Sequence, residues 1–267
     1  MVEYAGSRAG ARPVRGFEYQ HKVGALYAVR HLIRDGEGVL VPEGLDDITV
    51  EDLSPAIYAQ VKSRADPDGS FERSEFRDYL RTAWENQVAR EDERPGAQVH
   101  LVLDRAVKGL GLEVGSFTLD AAEIDDRLDA LLRDALNEID VDIQNAYTRT
   151  TVSIEPDPID SAIALLASEP GALDLPDVSA MEAHLIADRV ATVASLNHDP
   201  DKEPSSVTRT DLRARLDRFR GMIDPTVVQE PLRSGVCEAL RLTTPVPNAA
   251  FYEGVAVVPG HLAAGIV

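Results

Sequence analysis

The run Asp46-Asp47-Ile48-Thr49-Val50-Glu51-Asp52-Leu53-Ser54-Pro55-Ala56-Ile57-Tyr58-Ala59-Gln60-Val61-Lys62 decides how this chain folds. Successive side chains in a strand point to opposite faces. In the first half, Ile48 and Val50 share one face, leaving Asp47, Thr49 and Glu51 on the other. In the second half the apolar set is Ile57, Ala59 and Val61, so Tyr58, Gln60 and Lys62 face the opposite way. Between them Ser54 and Pro55 are turn residues that reverse the chain. A hairpin follows, with an apolar face for a core and a polar face on which a carboxylate, an amide and an amine meet. By parity Asp46 falls on the apolar side, which makes Asp47 the better ligand and Asp46 the fallback. Such a trio suits metal-assisted hydrolysis of a phosphodiester.

Outward from the hairpin, 17–34 reads as a helix with Ala25, Leu26, Val29, Leu32 and Ile33 at helical spacing, ended by Gly36 and Gly38. Val39-Leu40-Val41 is a first strand. A second helix over 71–90 carries Phe76, Leu80, Ala83, Trp84 and Val88 as its buried stripe. The apolar run 98–104 predicts a strand central in a sheet, 119–138 an acidic helix, and 151–154 a further strand. Helix, three strands, helix, strand, helix, strand is the order of an α/β mixed sheet flanked by helices. Residues 1–155 are thus expected to form a core. Residues 156–225 form a C-terminal helical extension with helices over 159–167, 181–196 and 208–222. Residues 226–267 are a linker. The apolar, uncharged ending Leu262-Ala263-Ala264-Gly265-Ile266-Val267 suggests the front part of a longer polypeptide.

Composition sets limits. The 267 residues are 44% hydrophobic, enough for a full core, and hold no run of 18 apolar residues, so no membrane span is expected. Residues 1–16 lack an apolar stretch, so no secretory signal is expected there. Cys237 is the single cysteine, which excludes an internal disulfide framework and a cysteine-cluster metal site and makes a reducing cytoplasm the default. A net charge of −19 argues against nonspecific coating of nucleic acid, whose affinity comes largely from counterions displaced by Lys and Arg. The acid is uneven: residues 1–34 carry six Arg or Lys against two Glu, and residues 35–53 then carry seven carboxylates and no base. Lysine is scarce, at four of 27 basic residues. Lys62 is therefore weighted toward a role in which a compact, tunable ammonium differs from a guanidinium. There is no GxxxxGK[ST], HExxH or GxSxG; Gly109 to Gly115 misses dinucleotide spacing and reads as a plain turn, and His100 as a core histidine.

The ordered set Gly16-Phe17-Glu18-Tyr19-Gln20, a helix, Glu43-Gly44-Leu45-Asp46-Asp47-Ile48 and Gln60-Val61-Lys62 resembles the N-terminal endonuclease domain of bacterial antiphage effectors. That domain belongs to the restriction-endonuclease-like, PD-(D/E)xK superfamily. It occurs in CD-NTase-associated double-stranded-DNA nucleases and fused to antiviral STAND NTPases. The motif match covers 16–62 and the element order agrees to about residue 155. The resemblance implies Asp47 as the acidic ligand of Mg²⁺ (or Mn²⁺), Gln60 in the place of the usual Glu, and Lys62 as the lysine, with the Val61 carbonyl completing the metal set. Gln20 corresponds to the family's Tyr-Gln. A neutral amide binds Mg²⁺ more weakly than a carboxylate, so a further acid is expected from Glu43, with Glu18 behind it. Arg15, Lys22 and Arg30 on the first helix would contact the backbone of double-stranded DNA with low sequence specificity. A nuclease of this kind endangers its host unless activated by assembly, which implies a homo-oligomer and a downstream NTPase or sensor domain. The alternative is a catalytically inactive nuclease-fold domain serving as a structural or protein-binding module.

Overall fold

The computed structural model describes residues 11–43, 47–64, 69–89, 91–92, 95–169, 178–197 and 203–223, with the backbone of 250–252 and 255–257; side chains of 11–15 and 223 are outside the description. Asp46, the side chain of Arg15 and nearly all of the 226–267 linker lie outside the described residues.

The hairpin forms as parity requires. Strand β1 (Val39–Pro42) pairs antiparallel with β2 (Ile48–Glu51), and β2 with β3 (Ile57–Lys62), in the register Ile48 to Ala59, Thr49 to Tyr58 and Val50 to Ile57. Strand β4 (Gln98–Leu103) then lies parallel to β3, and β6 (Thr150–Ile154) parallel to β4. Edge strands β5 (Gly115–Thr118) and β7 (Val207–Thr208) complete a seven-stranded mixed sheet in the order β5-β6-β4-β3-β2-β1-β7. The expected mixed α/β sheet flanked by helices is what the chain forms.

Helices cover both faces. Helix α1 (Ala11–Tyr27) runs into a π-helical turn (Ala28–Asp35) closed by Gly36, whose φ of 80° suits a residue without a Cβ. It starts earlier than the periodicity of 17–34 indicates. Its Tyr19, Val23, Leu26 and Leu32 pack with Ile48, Ile57, Ala59 and Val61. Three later helices, α5 (Pro158–Ala167), α6 (Val178–Asn197) and α7 (Arg209–Ile223), share that core through Leu166, Val190 and Leu216. On the opposite face α2 (Arg73–Val88), opened by a capping box between Glu72 and Glu75, buries Phe76, Leu80, Ala83 and Trp84 against Leu101 and Leu103. Val88, expected in that stripe, is 49% exposed, and Gln87 is buried in the last turn.

The acidic segment does not form one helix. Residues 119–121 make a 3₁₀ turn, and α3 (Asp126–Glu138) begins only where the Asp125 carboxylate accepts from the Leu128 N–H at 2.7 Å. A short helix, α4 (Ile143–Arg149), precedes β6. Two short strands, β8 (Ala250–Tyr252) and β9 (Val255–Val257), pair with each other. No helix among the described residues is long and apolar enough to cross a membrane.

Candidate functional site

Register builds the site from three adjacent strands. The Glu43 N–H donates to the Asp47 carbonyl at 3.0 Å, extending the β1–β2 ladder by one pair beyond Pro42 and Ile48. One step beyond the Ile48–Ala59 pair likewise sets Asp47 opposite Gln60. Opposed strand residues share a face, so Asp47 and Gln60 lie side by side with Lys62 diagonal to them, and the Glu43 backbone, just past the end of β1, continues this row beside Asp47. Two places in the row carry a stated cost. Glu43 adopts a left-handed backbone with φ 52°, uncommon outside glycine. Gln60 is half-buried, and its Oε1 is buried with no hydrogen-bond partner among the described residues.

Asp47 is the hub. Its Oδ2 accepts from the Val61 N–H at 2.7 Å and from the Lys62 ammonium at 3.3 Å. The Asp47 and Lys62 side chains remain 21% and 28% exposed, so the pair is reachable from solvent. Beyond it the polar face closes: Thr49 and Tyr58 are 1% and 4% exposed. Chemistry on this face is thus confined to its end, where the Lys62 ammonium also lies 5.9 Å from the centroid of the Tyr79 ring on α2. Val61 itself is in the core. Its N–H points toward β2, and its carbonyl shares that side by the alternation of the ladder.

The structure brings Glu43, Asp47, Gln60, Val61 and Lys62 together. The other described residues singled out for the site in the sequence lie on the first helical segment. Helix α1 packs on the face bearing Ile57, Ala59 and Val61, and Gln20 on that helix is half-buried. Glu18 pairs with Lys22 at 2.9 Å along the same helix. Arg30 lies over the Tyr27 ring at 5.9 Å, with Glu155 at 3.9 Å.

Two acids at the ends of neighbouring strands escaped the sequence reading. Asp104 follows β4, its N–H donating to the Lys62 carbonyl at 3.2 Å and its Oδ2 accepting from the Arg64 N–H at 3.0 Å. Burial pushes its carboxyl up, against the opposing pull of the Arg64 N–H and of Arg105. Glu155 follows β6; its carbonyl accepts from the Tyr19 hydroxyl at 2.8 Å and its carboxylate from Ser161 at 3.1 Å. Burial, with the charges of Asp104 and Glu155, raises the Tyr19 phenol well above its ordinary value. The one available signal was an acid closing each apolar strand. Which strands become neighbours is not written locally.

The donors of the row are oxygens: a carboxylate at Asp47, a second at Glu43, and the amide oxygen of Gln60, which has no partner among the described residues. That set fits a hard divalent cation such as Mg²⁺. No group of three or more His, Cys, Asp or Glu side chains among the described residues is arranged to hold a metal, so a cation held here would need amide and backbone oxygen as well.

No protein-family model and no curated protein matches this chain. Among solved structures it is similar to that of the Acinetobacter baumannii Cap4 SAVED/CARF-domain containing receptor with the cyclic trinucleotide 3′3′3′-cAAA, at 15% identity and a TM-score of 0.43 over 79% of this chain and 47% of that one. The chain thus spans about half the length of the solved chain it matches. A likeness that distant carries no activity across.

Proposed function

We propose that this chain is a metal-dependent endonuclease module acting on double-stranded DNA, of the restriction-endonuclease-like kind its motifs resemble. The observation that carries the reading is the Glu43–Asp47–Gln60 row with Lys62 beside it. Asp47, Gln60 and the Val61 carbonyl would hold Mg²⁺ or Mn²⁺, with Glu43 supplying the charge that Gln60 lacks. When bound, such a cation supplies neutralisation of the phosphate charge and a more acidic water. Lys62, held by the Asp47 carboxylate, orients the attacking water by donating to it. The covered remainder of the polar face leaves the strand ends as the place where a phosphodiester backbone is received. Contacts made to phosphate leave sequence specificity low.

In the same proposal the module is the effector part of an antiphage defence protein, assembled with copies of itself and joined to a sensor or NTPase domain. That part rests on the resemblance of residues 16–62. The test is relaxation of supercoiled plasmid by the assembled full-length protein in Mg²⁺ or Mn²⁺. Cleavage abolished by Lys62→Ala supports the reading; absence of cleavage, or cleavage indifferent to that change, sinks it.

One observation favours a second reading, a catalytically inactive nuclease fold used as a structural or protein-binding module. The Asp47 Oδ2 is already engaged within the chain by Val61 and Lys62, and Gln60 is neutral. On that reading the protein assembles normally, yet no divalent ion elicits cleavage.

A further inference from the structure

Val61, Lys62 and Arg64, at and just past the end of β3, are held from both sides by two aspartates. From β2, the Asp47 carboxylate takes the Val61 N–H at 2.7 Å. From β4, the Asp104 N–H holds the Lys62 carbonyl at 3.2 Å, and its Oδ2 takes the Arg64 N–H at 3.0 Å. Asp104 therefore spans Lys62, gripping its carbonyl and the amide two residues on. A parallel ladder ends where its strand ends, so without the carboxylate the Arg64 N–H would have no strand partner on this side.

The grip is an expensive one. The Asp104 side chain is 12% exposed, its Oδ1 is buried with no hydrogen-bond partner among the described residues, and the Arg105 Nε lies 3.6 Å from Oδ2. A buried carboxylate oxygen left unsatisfied is unfavourable, and such groups in a native structure call for a reason.

We infer that Asp104 is a positioning residue for Lys62, fixing the backbone on both sides of it so that the ammonium stays beside Asp47 at the strand end. The inference rests on the nuclease reading of that site. Asp104 acts through Lys62 and makes no contact with DNA.

The test compares Asp104→Ala, Asp104→Asn and the unaltered full chain in plasmid relaxation with Mg²⁺, together with hydrogen exchange of the amides of residues 62–64. Asp104→Ala is expected to lower kcat by roughly tenfold to a hundredfold, the effect of a small misplacement, with KM for DNA changed by less than about twofold. Asp104→Asn keeps an amide carbonyl for the Arg64 N–H and is expected to restore most of kcat. Exchange at Arg64 should accelerate in Asp104→Ala and return in Asp104→Asn. Should the alanine variant fail to fold, Asp104→Ser takes its place, because its hydroxyl is too short to reach Arg64. An unchanged kcat, a rise confined to KM, or no rescue by asparagine overturns the inference. If the unaltered protein cleaves nothing, the nuclease reading fails, and the exchange of residues 62–64 alone decides whether Asp104 holds the strand end.

Discussion

The Asp47 carboxylate sits 2.7 Å from the Val61 N–H, so one side chain both closes the β2–β3 ladder and faces the candidate site. Structure and chemistry can be separated by the choice of substitution. Asp47→Ala leaves the amide of a core residue without its acceptor, at a cost of about 1–3 kcal/mol. Asp47→Asn keeps an acceptor but removes the charge. Both should abolish plasmid cleavage, while only the alanine variant shows a clearly lowered thermal midpoint. Cleavage surviving in Asp47→Asn would remove Asp47 from the chemistry.

Gln60 is where the row is weakest. Gln60→Glu adds a carboxylate opposite Asp47, which repels without metal and attracts with it. The Mg²⁺ concentration for half-maximal cleavage should fall several-fold, and the stabilisation of the fold by added Mg²⁺ should grow. Glu43→Gln should shift both measurements the other way. A Mg²⁺ titration insensitive to either change would place the cation elsewhere.

The buried pair Tyr27 and His100, bonded at 2.7 Å between hydroxyl and Nδ1, ties stability to pH. Burial, helped by the charges of His31 and Arg30, pushes the His100 imidazole from 6.5 down to about 3. Burial lowers His31 as well. Below about pH 6.5 the unfolded chain takes up a proton that folded His100 refuses. Its contribution is therefore whole above pH 6.5 and lost as pH falls toward 3, by at most about 1.4 kcal/mol per unit. Glu91 acts lower down. Arg149 holds its carboxyl from 4.5 down to about 2, so its share is present above 4.5 and lost toward 2. Urea denaturation from pH 8 to 4 should show His100→Gln flatter than the unaltered protein, and Tyr27→Phe destabilised by about 1–3 kcal/mol at pH 8.

Lys22 and Arg30, both on the first helical segment, should behave differently in DNA binding. Lys22 is 39% exposed and paired with Glu18 along its own helix, so Lys22→Ala should reduce the salt slope of binding by about one at most. Arg30 lies over Tyr27 beside Glu155. Arg30→Ala should lower the thermal midpoint and leave the salt slope unchanged; a loss of slope would show that Arg30 reaches phosphate.

Helix and strand were legible wherever periodicity was strong. The stripe Phe76, Leu80, Ala83 and Trp84 is buried as its spacing requires, and the ends of α5, α6 and α7 fall within a few residues of the polar and proline breaks around them. Segments with little apolar signal were lost. Residues 143–149 bury only Ala146 and Tyr147 and were not read as α4. Residues 115–118 and 207–208 become strands because a neighbour offers unpaired backbone, a property of β6 and β1 and not of those residues.

The candidate site divides the same way. Parity is a local rule, so the amino-acid order alone put Asp47, Gln60 and Lys62 on one face and Ile57, Ala59 and Val61 on the other. The turn between two short strands set them antiparallel, and pairing with β1 placed Glu43 in the row. Only tertiary structure decided that the rest of the polar face is buried at Thr49 and Tyr58, and that Asp104 arrives beside Lys62. The β3–β4 pairing is parallel and crosses through α2, so its register depends on how that helix packs. Packing of that kind is a sum over distant side chains, and no short stretch of sequence contains it.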